Sequence, residues 1–154
     1  MTILLRSEAA TTSLAEECCA LLPADVAGWT ILLAGELGAG KSTFARALIR
    51  AMGHEGPVPS PTYTLVEPYK LPGRTIYHID LYRIASEDEL RYLGWGELDD
   101  GLRLIEWPER VPSLLEQADL CLQFDYQDSG RRVEAAGVSG RGVELASRLG
   151  QKMS

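Results

Sequence analysis

Gly35 and Gly40 are separated by four residues and followed at once by Lys41, Ser42 and Thr43, in the run GELGAGKST. This is the spacing G-x-x-x-x-G-K-[ST], and each fixed residue has a mechanical task. Glycines permit backbone angles and close approaches that turn N–H groups inward toward phosphate oxygens. Lys41 would set a positive charge against the outer phosphates, and Ser42 would offer magnesium a hydroxyl. A helix opening there would aim its positive end at the same anion. The chemistry indicated is the binding of a nucleoside triphosphate.

Magnesium at such a site also needs a carboxylate at the end of a neighbouring strand. Two apolar runs end in an acid: IYHID at Asp80 and LRLIE at Glu106. In extended backbone Ile76, His78 and Asp80 share one face, and so do Leu102, Leu104 and Glu106. Either acid alone could instead be a strand-end carboxylate in water, but beside a phosphate loop at least one of the two must serve the metal. Ser60-Pro61-Thr62 carries hydroxyls between the loop's helix and the next strand, where switch segments reach a γ-phosphate and its metal. Taken alone, the same tripeptide is an ordinary turn. Of the two histidines, His54 and His78, the second lies mid-strand beside tyrosines and is expected to be structural. No Gly-x-Ser-x-Gly elbow or histidine-rich metal spacing supports other hydrolytic chemistry.

The elements that must hold these residues follow from periodicity. A strand at Thr2 to Leu5 precedes Ser7, an N-cap, and a helix whose apolar residues recur from Ala10 to Leu22 before Pro23. WTILLAG is a buried strand leading into the loop, and a helix runs from Lys41 to about Met52, stopped by Gly53. GHEGPVPSPT is a loop. YTLVEPY and RTIYHID pair as an antiparallel hairpin about Pro72-Gly73. Ser86 with Glu89 forms a capping box for a short helix in SEDELRYL. GLRLIEW is a strand and VPSLLEQA a short helix. DLCLQFDY and RRVEAAGV pair across Gly130, and Ser139 caps a last helix through Leu149. The expected fold is α/β: one P-loop domain, residues 1–154, with a mixed, partly antiparallel sheet flanked by helices.

At 154 residues, 45% apolar and 24% charged, the composition is that of an ordinary globular domain. A net charge of −7 argues against this surface gripping nucleic acid unaided. No apolar run approaches a membrane span, and the N-terminal MTILLRSEAATTS lacks the pattern of a secretory signal. Cys18, Cys19 and Cys121 are odd in number and form no C-x-x-C pair, which suits packing residues in a reducing cytoplasm. The chain holds no asparagine, so the Asn-Lys-x-Asp element that reads guanine is missing and ATP becomes the default.

GELGAGKST, SPTYTLVEPY, YHIDLYR, LGWGEL and LIEWPE, in that order, resemble the TsaE (YjeE) family from about Ser7 to at least Tyr126. That family is the bacterial ATPase of tRNA threonylcarbamoyladenosine biosynthesis. The resemblance implies that Leu37, Gly38, Ala39, Gly40, Lys41, Ser42 and Thr43 hold the phosphates of ATP. It implies Mg2+ at Ser42 and Glu106, hydrolysis dependent on Asp80 and Lys41, Thr62 as the switch hydroxyl and Trp107 as a neighbour of the site. Asp80 would orient or deprotonate water, or hold the metal shell. Contacts to adenosine would come from the regions of Ser7 to Thr11 and Gly130-Arg131. It also implies TsaD and TsaB as partners, with tRNA reached only through them, in the cytoplasm. The pair would carry out the transfer to adenosine 37, and this chain would reset it between turnovers. Two departures are mild: Glu36 stands for the family's aspartate, and Ser42 for its threonine. A small-molecule kinase and an ATP-dependent assembly scaffold remain the alternatives, and nothing is inferred from the tail beyond about Val138.

Overall fold

A computed structural model describes residues 1–154. Its elements are β1 (Thr2–Leu5), α1 (Glu8–Leu21), β2 (Thr30–Gly35), α2 (Lys41–Ala51), β3 (Val66–Leu71), β4 (Arg74–Asp80), β5 (Leu102–Glu106), α3 (Leu114–Gln117), β6 (Leu120–Gln127), β7 (Gly130–Gly137) and α4 (Gly140–Met153). Seven strands form one sheet in the order β1-β7-β6-β2-β5-β4-β3. Its centre is parallel, with β2 between β5 and β6, and β4 beside β5; antiparallel pairs with β3, β7 and β1 close the flanks. Every residue of β2 is buried, as a continuous apolar strand inside a parallel centre should be.

The two faces of the sheet are covered unequally. Helices α1, α2 and α4 lie over one, where Leu14, Cys18, Phe44, Leu48, Leu145 and Leu149 pack on Ile31, Leu33, Leu104 and Leu122. Over the other, Leu32, Ile79 and Ile105 meet α3 and short helical turns. Strand alternation therefore sends Ile76, His78 and Asp80 toward the face of α2, with Leu102, Leu104 and Glu106 beside them.

Several expectations are corrected. β3 begins at Val66, three residues after Tyr63, because Leu65 takes a left-handed φ of 70° and its N–H donates to Pro61 O at 2.7 Å, closing a turn over Pro61–Thr64. SEDELRYL winds as a 3-10 helix over Glu87–Leu93; the Ser86 side chain caps nothing, and Glu89 accepts instead from Ala85 N–H. Further 3-10 segments at Trp95–Asp100 and Pro108–Arg110 were not anticipated by the periodicity. β5 ends at Glu106 because Trp107 adopts φ 60°. α4 runs four residues past Leu149, to Met153, with Ser139 capping Gly142 N–H as expected. No helix is long and apolar enough to cross a membrane.

Candidate functional site

Parallel strands end on one edge of the sheet, and three of those ends build the site. β2 delivers Gly35 and the loop; β4 and β5 set Asp80 and Glu106 directly opposite each other in register, with Leu33 of β2 opposite Glu106. Gly35, Gly38 and Gly40 all have positive φ, at 128°, 80° and 113°. At Gly35 the need is absolute: a Cβ would lie 2.1 Å from Phe124 O. Gly40 is the N-cap of α2, so that helix opens toward the loop with no side-chain cap on its first N–H groups.

Lys41 is buried, and its ammonium donates to Gly35 O at 2.6 Å and lies 3.5 Å from the centroid of the Trp107 ring. Burial pulls its pKa below the ordinary lysine value, while the charges of Glu106, Glu109 and Asp80 act in the opposite direction. Ser42 Oγ donates to Glu106 Oε1 at 3.2 Å, and Glu106 Oε2 meets His78 Nε2 at 2.6 Å. Asp80 is held through both oxygens: Tyr82 N–H donates to Oδ1 at 2.9 Å and Thr62 Oγ1 to Oδ2 at 3.1 Å. Ser60 Oγ lies 2.7 Å from Thr62 Oγ1, so the segment after α2 is tied to the strand-end acid by hydroxyls.

These groups line one cleft of about 420 Å³, with Leu37, Gly38, Gly40, Lys41, Ser42, Thr43, Ser60, Thr62, Asp80, Tyr82, Glu106 and Trp107 around it. Ala39 lies in the loop but is buried away from the cleft. A second pocket of about 250 Å³ shares Gly38, Gly40 and Thr43 with the cleft and gathers Ser7, Thr11, Gly130 and Arg131. The four residues named from the two distant segments thus stand together. Ser7 also caps α1, its Oγ accepting from Ala10 N–H. The arrangement offers a polar trough for an anionic chain and a side pocket for whatever that chain carries.

His78 is the site residue that sequence reasoning set aside. Its signal was present: it lies two residues before Asp80, on the same strand face, and the strand carrying Glu106 is its neighbour. Tyr82, whose ring lies 5.0 Å from that of Trp107, and Glu109, which accepts from Gly35 N–H at 3.3 Å, were likewise not singled out.

A strand, a glycine-rich loop and a helix opening with lysine and serine, faced by two strand-end acids, define an α/β protein of the P-loop class. The family model described as "Threonylcarbamoyl adenosine biosynthesis protein TsaE" matches residues 5–133. The chain is 42% identical over 119 residues to the tRNA threonylcarbamoyladenosine biosynthesis protein TsaE of Haemophilus influenzae, covering 76% of this chain and 75% of that one. To the TsaE of Aquifex aeolicus it is 37% identical over 132 residues, covering 84% and 90%. The crystal structure of a Bacillus protein, YdiB, shares the fold at a TM-score of 0.74 and 23% identity, over 100% of this chain and 96% of that one. The chain belongs to the TsaE family.

Proposed function

We propose that this chain binds ATP with magnesium and hydrolyses it in the service of tRNA threonylcarbamoyladenosine synthesis. It would act in the cytoplasm on the TsaD–TsaB pair, resetting that pair between turnovers. The observation that carries the reading is the convergence of Lys41, Ser42, Thr62, Asp80 and Glu106 in one cleft at the mouth of the glycine-rich loop. Family membership supplies the pathway. The acidic surface supports tRNA being held by the partners, since a chain of net charge −7 is poorly suited to a phosphate backbone.

The donor set fits magnesium. Ser42 Oγ and a Glu106 oxygen already face each other, the Asp80 carboxylate lies opposite in register, and all are hard oxygen ligands. The chain has no cluster of three or more His, Cys, Asp or Glu side chains able to cage a metal alone. Magnesium shared with substrate phosphates needs only one or two protein ligands. Ser42 and Glu106 would hold it, with Asp80 near its shell. When bound, the ion neutralises charge on the outer phosphates as the leaving group departs.

The remaining work belongs to side chains and backbone. Loop N–H groups and the N-terminus of α2 grip the phosphate chain. Lys41 transfers its ammonium from Gly35 O to phosphate oxygens, whose charge offsets its burial. Asp80, fixed by Tyr82 N–H and Thr62, orients the attacking water and takes up its proton as the new P–O bond forms and the bond to ADP breaks. The Thr62–Asp80 bond couples the Ser60–Thr62 segment to the state of the γ-phosphate, so that hydrolysis would release that segment toward a partner.

The test is ATP turnover by the purified chain, alone and with TsaB and TsaD, with Lys41→Ala as the blank. Activation by the pair that the variant lacks supports the reading. Turnover indifferent to the pair removes the partner-gated role.

A further inference from the structure

The outer arc of the glycine-rich loop is tied down from outside the loop. Tyr126, near the end of β6, donates its hydroxyl to Leu37 O at 2.9 Å. Its neighbour across the β6–β7 turn, Arg131, lies with its guanidinium 4.4 Å from the centroid of the Tyr126 ring and donates to Gly38 O at 3.4 Å. Contact between hairpin and loop is close enough that a Cβ at Gly38 would lie 2.5 Å from the Tyr126 hydroxyl. The loop's own bonds there are few. Ala39 N–H returns to Glu36 O at 3.1 Å, and Leu37 is 77% exposed with its side chain in solvent.

A planar trans peptide sets C=O and the following N–H in opposite directions. With Leu37 O fixed toward the hairpin, Gly38 N–H is turned away from it, and Gly38 borders both the cleft and the side pocket. A glycine at φ 80° with no side chain of its own has little else to choose between the two senses of that peptide. We propose that Tyr126 is a positioning residue for the phosphate loop: its hydroxyl holds the Leu37–Gly38 peptide with the N–H facing the anion, and Arg131 steadies the ring that carries the hydroxyl. The inference rests on reading the cleft as the triphosphate site. Because Arg131 and Gly130 also line the side pocket, the same hairpin that borders the nucleoside end sets the shape of the phosphate end.

Tyr126→Phe tests this with little risk to folding, since the ring is half exposed and its stack on Arg131 is retained. An N–H presented equally to ground state and transition state contributes uniform binding, so its loss raises KM and leaves kcat nearly alone. For one hydrogen bond the expected rise in KM, and in the dissociation constant of a fluorescent ATP analogue, is about three- to tenfold, with kcat within about twofold. Amides of residues 36–40 should exchange hydrogen faster in the variant. Unchanged affinity and exchange would overturn the proposal, as would a fall in kcat at constant KM, which marks an interaction made only in the transition state rather than a loop held for binding. A wild-type chain that binds no ATP would remove the underlying reading instead, and that is seen before any variant is compared.

Discussion

His78 Nε2 lies 2.6 Å from Glu106 Oε2, with both side chains buried on adjacent parallel strands. Against an ionised carboxylate Nε2 is the donor, which leaves Oε1 of Glu106 facing Ser42. The other ring nitrogen of His78 is buried without a partner, so the histidine's polar bonding in this structure is directed at Glu106. A ring that fixes one carboxylate oxygen orients the other, here toward Ser42 and the position proposed for magnesium. His78→Ala should therefore lower magnesium-dependent turnover by about 10- to 100-fold and raise the magnesium concentration for half-maximal rate. A magnesium titration of ATP turnover checks this; an unshifted midpoint would reduce His78 to a packing residue.

On the proposed mechanism, Asp80 and Thr62 separate hydrolysis from binding. Asp80 is hydrogen-bonded to Tyr82 N–H and Thr62 rather than to the glycine-rich loop, whereas Lys41 and Ser42 open the helix that follows that loop. Asp80→Asn keeps the shape and removes the charge and the proposed base, and should cut turnover by about 100-fold or more with ATP affinity changed by less than about threefold. Thr62→Ala should cost roughly tenfold through misplacement of Asp80. Single-turnover hydrolysis beside equilibrium nucleotide binding distinguishes the two. Loss of affinity in Asp80→Asn would show that the acid holds the nucleotide instead.

Much of this site was legible in the sequence because its signals are local. A loop of fixed spacing must follow a strand and open a helix, and IYHID and LRLIE end in acids whose face is set by alternation. What escaped depends on tertiary pairing. Nothing in YHID says that β5 will lie parallel beside it and bring Glu106 to His78. Ser86 and Glu89 have the right spacing for an α-helical cap, yet Gly94 in a left-handed conformation and the packing of Leu90 and Leu98 beneath the sheet favour 3-10 turns. Periodicity also could not foresee Trp107 at φ 60°, which ends β5 one residue early and places the indole against Lys41.

Asp119 supplies a pH dependence remote from the cleft. Its Oδ2 accepts from Thr30 N–H at 2.9 Å and from Arg141 at 3.0 Å; its Oδ1 accepts from Ser139 at 2.7 Å and Arg141 at 2.8 Å. Burial alone would raise its pKa, but the hydrogen bonds of Arg141, Ser139 and Thr30, with the guanidinium charge, outweigh it and hold the carboxyl below its ordinary 3.8. A carboxyl depressed in the folded state contributes stability that is complete above its unfolded value and is lost as pH falls through the folded one. Thermal midpoints should thus be insensitive to this group above about pH 5 and fall with acidification below about pH 4. Asp119→Asn should begin less stable at neutral pH and lose less over the acid window. Parallel melting curves for the two proteins would contradict the assignment.

The same junction makes the start of α4 intolerant of added volume at one glycine and indifferent at another two residues away. A Cβ at Gly142 would lie 1.5 Å from Asp119 O, a backbone atom that itself accepts from Val138 N–H and cannot move freely. At Gly140 a Cβ meets nothing within 4 Å. Gly142→Ala should destabilise by about 3 kcal/mol, since α4 and the Asp119 backbone must separate to admit the methyl group. Gly140→Ala, in an exposed first helical turn, should be neutral or stabilising by up to about 1 kcal/mol. Urea denaturation of both variants checks the contrast. Thr30, held by the Asp119 carboxylate, begins the strand that ends in the glycine-rich loop. Gly142→Ala should therefore also weaken ATP turnover, while Gly140→Ala should leave it unchanged; equal turnover in both would mean that β2 is held in place without this clip.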